Sequence, residues 1–141
     1  MNIRGDIEDF CTMLEKSWKE KNYNSIEARN VIIAGMGGSG IIGIIAKKIM
    51  EQDGNKIITS WNEYGLPKWI DNDCHVICIS YSGNTAETIS SALQAEKHNI
   101  EWEAVTTGGE LNTFACDKKK EVTIIEKGHQ PRAALPLLLI P

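Results

Sequence analysis

The sequence has no apolar run long enough to cross a bilayer. Its longest are IIGIIA at 41–46 and LPLLLIP at 135–141, against the roughly 18–20 consecutive apolar residues of a spanning helix. It has no basic surplus: 15 Lys and Arg face 19 Asp and Glu, a formal charge of −4. A dedicated DNA- or RNA-binding module carries such a surplus, so neither nucleic acid nor membrane is an expected partner. A small anionic ligand is not excluded, because backbone amides and hydroxyls bind phosphate without net positive charge. The opening MNIRGDIEDF lacks the apolar core of a signal peptide, which predicts a cytoplasmic protein. The four cysteines, Cys11, Cys74, Cys78 and Cys116, form no CxxC pair. They are expected to be buried, reduced thiols, not a zinc site or a disulfide, with Cys74 and Cys78 on one face of a strand.

What is present fits one globular domain. The 141 residues are 42% hydrophobic and 24% charged, enough for a single two- or three-layer core. Ile7, Phe10, Cys11, Leu14 and Trp18 recur at helical spacing, which predicts an N-terminal helix from Asp6 to about Lys21, with Asp6 as a possible cap. Short strands are expected at Val31–Ala34, Lys56–Trp61, His75–Ser80, Glu103–Thr106 and Val122–Glu126. Helices are expected at Ile41–Met50 and Ala86–Lys97, with a last apolar helix after residue 130. Lys118–Lys120 reads as a solvated turn. The strands are continuous apolar runs separated by helices, which implies a parallel sheet covered on both faces. The predicted fold is a doubly wound α/β domain of about five strands, with ligands at the carboxyl ends of the strands.

Four loops fall at that edge. Gly35-Met36-Gly37-Gly38-Ser39-Gly40 matches GxGxxG between a strand and a helix, where glycine admits positive φ and close approach of a ligand. Alone it also reads as a tight turn. Ser80-Tyr81-Ser82-Gly83-Asn84-Thr85 surrounds one glycine with hydroxyls. Ser80, Ser82 and Thr85, with amides at a helix start, supply the converging donors a phosphate monoester needs. Thr85 could equally be a plain N-cap, and the two roles are compatible. Thr106-Thr107-Gly108-Gly109 is as much a turn as a ligand contact. In Gly128-His129-Gln130-Pro131-Arg132, Pro131 suits a first helical turn. Arg132, one of three arginines, would then seek an anionic partner near that helix start, or form a surface or interface salt bridge. His129 reads as an ordinary loop residue.

Taken in order, GMGGSGI (35–41), EYGLPKW (63–69), SYSGNTAET (80–88), TTGGEL (106–111) and GHQPRAAL (128–135) resemble the sugar isomerase (SIS) domain. More narrowly, they resemble the first half of the archaeal-type bifunctional phosphoglucose/phosphomannose isomerases. The resemblance implies a five-stranded, flavodoxin-like three-layer sandwich that binds a hexose 6-phosphate. It assigns the phosphate to Ser80, Ser82 and Thr85 and lines the site with Gly37, Gly38 and Ser39. It gives Arg132 the task of stabilising an enediolate. The implied reaction opens the sugar ring and moves a proton between C1 and C2, interconverting glucose or mannose 6-phosphate with fructose 6-phosphate, without metal or nucleotide.

Departures from that pattern shape the expectation. Family members carry two SIS domains, and their base glutamate and ring-opening histidine lie in the second half, which this sequence does not contain. Gly43 and Ile44 stand where an acidic residue is usual, Thr107 where a serine is, and Pro136 where a glycine is. The chain is therefore expected to be one half of a two-domain enzyme or a homodimer. Glu63 and Glu87 are the acids best placed along the sequence to act as base, though neither is expected to have the geometry. A non-catalytic phosphosugar-binding or regulatory module is the alternative. A dinucleotide site, with Glu63 as the ribose acid, is disfavoured because it needs no second hydroxyl loop.

Overall fold

The computed structural model describes residues 3–20, 25–130 and 134–139. The elements run α1 (Ile3–Glu8), α2 (Phe10–Glu20), β1 (Asn30–Gly35), α3 (Gly37–Asp53), β2 (Ile57–Trp61), β3 (Cys74–Ser80), α4 (Ala86–Lys97), β4 (Glu101–Thr106), α5 (Gly109–Asp117), β5 (Val122–Ile124) and α6 (Leu135–Leu139). The five strands form one all-parallel sheet in the order β2-β1-β3-β4-β5. The doubly wound three-layer fold expected from the sequence is therefore present.

Strand periodicity explains why the central runs are apolar throughout. In β1, Ile32 and Ala34 enter one core while Val31 and Ile33 enter the other. In β3, Cys74, Val76 and Cys78 join the first core and Ile79 the second, so the two cysteines do share a face. Successive side chains point to opposite faces, and a strand buried on both cannot alternate. The first core is sealed by α4 and α5, which bring Ala92, Ala95, Leu111 and Ala115 onto the sheet. There Trp102 stacks on Phe114 with ring centroids 5.4 Å apart. The second core lies beneath α2, α3 and α6, with Met13, Ile42, Leu137 and Leu138 buried.

Several expectations are corrected. The N-terminal helix is two segments broken at Asp9, and it starts at Ile3, so Asp6 lies inside a helix and not at its cap position. The side chains of Asp6, Ile7 and Trp18, and all of Pro131 and Arg132, lie outside the described residues. Helix α3 begins at Gly37, four residues before the expected start, because the glycine segment itself winds into the helix. Helix α5 was not foreseen at all. Only Cys74 and Cys78 are buried, whereas Cys11 and Cys116 are exposed. Removal from water holds the Cys78 thiol far above the ordinary thiol range, and burial also raises that of Cys74.

Candidate phosphate-binding site

The strand order reverses direction between β1 and β3, and in such sheets the carboxyl ends at that point form the binding crevice. The loops after β1 and β3 meet there. Ser39, in the first turn of α3, is 5% exposed, and its Oγ accepts from the Tyr81 amide at 3.4 Å. The first and second motifs are thus in contact. Glycine is needed in the first loop for two distinct reasons. Gly37 has φ +54°. At Gly40 a β-carbon would lie 2.3 Å from Asn62 Nδ2. That amide donates to the Gly35 carbonyl at 2.6 Å and so fastens the end of β2 to the loop. Gly43 faces Ser60 of β2, whose Oγ would lie 2.7 Å from an added β-carbon, which explains why no acidic side chain fits there.

The second loop is built around Ser80, which is 1% exposed. Its Oγ meets Thr85 Oγ1 at 2.9 Å and accepts from the Gly83 amide at 3.1 Å. Ser82 is exposed, and its Oγ accepts from the Asn84 amide at 3.2 Å. Thr85 occupies the N-cap position of α4 in extended conformation, yet its side chain makes no capping bond. Its hydroxyl faces Ser80 instead, so the first amides of α4 keep their usual free donors together with the positive end of the helix dipole.

The third loop is mainly a brace. Thr106 Oγ1 donates to the Gly108 carbonyl at 2.9 Å, and Thr107 Oγ1 donates to the Tyr81 carbonyl at 2.7 Å. Asn84 Oδ1 accepts from the Glu110 amide at 3.0 Å, and Leu111 N–H donates to the Gly83 carbonyl at 2.8 Å. Beside it opens a cleft of about 970 Å³, whose lining includes Asn84, Thr107, Gly108, Glu110, Phe114 and Lys127. Of the two acids the sequence offers as a base, Glu63 is exposed on the turn after β2 and Glu87 lies in the first turn of α4.

The structure thus brings Ser39, Ser80 and Thr85 together, with Ser82 on the open side of the same loop. Sequence reasoning did not assign Asn62, Asn84 or the Tyr81 side chain. Their signals were faint: an amide immediately after a strand at the ligand edge, and two residues inside a motif read only for its serines, threonine and glycine.

This arrangement defines the class. It is an α/β domain with a hydroxyl-lined loop at its topological switch point, and its fold is that of SIS domains. Its sequence is similar to the bifunctional phosphoglucose/phosphomannose isomerase of Thermoplasma volcanium, 36% identical over 134 residues, covering 95% of this chain and 42% of that protein. It is similar to the enzyme of the same name from Aquifex aeolicus, 37% identical over 134 residues, covering 94% of this chain and 41% of that protein. The chain therefore spans less than half the length of these relatives. No family model matches it. Among solved structures, the Vibrio vulnificus NanR protein complexed with ManNAc-6P aligns over 96% of this chain and 57% of its own, with TM-score 0.70 at 18% identity. The sugar isomerase domain of the RpiR transcription factor from Sphaerobacter thermophilus aligns over 96% and 86%, with TM-score 0.65 at 18% identity.

Proposed function

We propose that this chain is a phosphosugar-binding, isomerase-type domain whose ligand is a hexose 6-phosphate. The observation that carries the reading is the Ser80–Thr85 loop. It presents hydroxyls and unused helix N-terminal amides at the switch point, with Ser39 behind them. Ser82, on the open side, would add a hydroxyl donor, and the α4 dipole would favour the dianion. The names of the relatives point to phosphorylated glucose and mannose as the sugars, and we take these as the 6-phosphates, with fructose 6-phosphate as the shared ketose.

In that reading the reaction is aldose–ketose isomerisation. A carboxylate removes a proton next to the carbonyl, the enediolate forms, and the proton returns at the adjacent carbon. Arg132 would oppose the developing negative charge. Because the chain spans less than half the length of its relatives, we place the missing acid–base groups on a second SIS domain or a second copy of the chain. A non-catalytic phosphosugar-binding module is the second reading, favoured by the exposure of Glu63 on the turn after β2.

Calorimetric titration with fructose 6-phosphate tests the binding claim. Saturable binding is expected, weakened about 10- to 100-fold by Ser82→Ala, the range for a hydrogen bond to a charged group. Absence of saturation at millimolar ligand, or an unchanged Ser82→Ala variant, would overturn it. An isomerase assay on the same samples separates the two readings: turnover abolished by Arg132→Ala identifies an enzyme, and binding without turnover identifies the module.

A further inference from the structure

Tyr81 lies between the two serines of the phosphate loop, yet its ring belongs to the second core. Its backbone engages two other loops: the amide donates to Ser39 Oγ after β1, and the carbonyl accepts from Thr107 N–H at 3.2 Å and Thr107 Oγ1 at 2.7 Å after β4. Its phenol reaches the third. Tyr81 Oη donates to the Glu126 carbonyl at 3.2 Å and accepts from the His129 amide at 2.9 Å. A phenolic oxygen acting as donor and acceptor at once fixes the two ends of a four-residue segment. That segment carries Gly128 at φ +105° and is bonded from its other side by Lys16 Nζ to Glu126 Oε2 at 2.6 Å. Lys127, inside the segment, lines the cleft together with Asn84 and Gly108.

We propose that Tyr81 is a positioning residue. Its phenol docks the segment after β5, and so sets where Lys127 of that segment stands in the cleft beside the phosphate loop. The inference rests on the phosphosugar reading for its ligand, but its structural half does not. The phosphate is held by the loop's own hydroxyls and amides. The segment after β5 brings Lys127 into the wall of the cleft beside that loop, and we assign the sugar end of the ligand to that side. Tyr81 therefore acts on sugar recognition and leaves phosphate recognition alone.

The test is Tyr81→Phe, which deletes one oxygen and keeps the buried ring. Affinities for inorganic phosphate and for fructose 6-phosphate are measured in parallel, with amide exchange of His129 in the ligand-free protein. The expected result is phosphate affinity within twofold of wild type, fructose 6-phosphate affinity lowered about tenfold, and His129 exchange accelerated at least tenfold. Should Tyr81→Phe fold poorly, His129→Pro removes one of the two bonds, that from the His129 amide, and is expected to give the same split in ligand affinities. Equal losses for both ligands would overturn the proposal, since they would mean that the phosphate loop itself had collapsed. Unchanged fructose 6-phosphate affinity would overturn it as well. If the wild type binds neither ligand, the phosphosugar reading fails. His129 exchange then still decides the docking role, and equal rates in wild type and variant overturn it.

Discussion

The two edges of the sheet use the same conformation to different ends. Gly54 caps α3 at the edge where strands begin, and Gly83 sits in the hydroxyl loop after β3, where strands finish. Both are left-handed, at φ +67° and +72°. A β-carbon on Gly54 would meet nothing within 4 Å, whereas one on Gly83 would lie 1.7 Å from the Gly108 carbonyl oxygen. Gly109 repeats the pattern, with the Ser82 carbonyl oxygen 2.6 Å from an added β-carbon. At the starting edge, glycine only turns the chain. At the finishing edge it also lets two loops touch. The starting edge is otherwise a shallow hollow of about 560 Å³ with charges of both signs, among them Glu27, Arg29, Asp73 and Glu101. Its bonds serve chain connection: Lys56 Nζ donates to the Ala28 carbonyl at 2.7 Å, and Asp71 Oδ1 accepts from the Asp73 amide at 3.1 Å.

The contrast can be broken by mutation. Gly83→Ala combines left-handed strain with a backbone collision and is expected to cost at least about 3 kcal/mol, seen as a lowered urea midpoint. Thr107→Val removes the bond to the Tyr81 carbonyl and is expected to cost about 1.5 kcal/mol in the same measurement. Gly54→Ala meets only the conformational penalty, about 1 kcal/mol. If it matched Gly83→Ala, the distinction between the edges would fail.

Smaller effects sharpen it. The hydrogen bond and charge of Lys16 hold the Glu126 carboxyl below the usual carboxylate range. A lowered folded-state value adds stability above the unfolded value, about 4.3, and loses it as pH falls through the folded value. Both side chains are half exposed, so the contribution is expected to stay below about 0.5 kcal/mol and to vanish in Lys16→Ala melts recorded across that acid range. Arg29→Ala, at the opposite edge, is expected to change stability by less than about 0.5 kcal/mol and fructose 6-phosphate affinity not at all. Thiol labelling offers a separate check: Cys11 and Cys116 should react in the native protein, and Cys74 and Cys78 only on unfolding.

The central strands and α4 were legible because their signal is local. Val31–Ala34 and His75–Ser80 are apolar runs ended by glycine and serine, and Ala86–Lys97 matches its helix residue for residue. The early start of α3 was not legible, because glycine has poor helix propensity. The helix forms there because Gly40 and Gly43 lie close against Asn62 and Ser60, a tertiary cause with no sequence signature. Helix α5 was hidden by its length of nine residues, although Leu111, Phe114 and Ala115 do carry the helical spacing. In the candidate site, residue types and loop order were readable. What was not readable is that Thr85 turns its hydroxyl to Ser80 and not to its own helix, or that the threonines after β4 are taken up by backbone carbonyls. Those outcomes depend on which loops abut, which chain order leaves open.

The abutment of Gly83 and Gly108 also constrains how such a domain can diverge. A side chain at 83 becomes admissible only after the segment around 108 retreats, and that retreat gains nothing while 83 is still glycine. Neither loop can be remodelled, or transplanted between homologues, without the other. A library that varies the two independently should therefore yield folded members mainly where both glycines survive or both segments come from one parent.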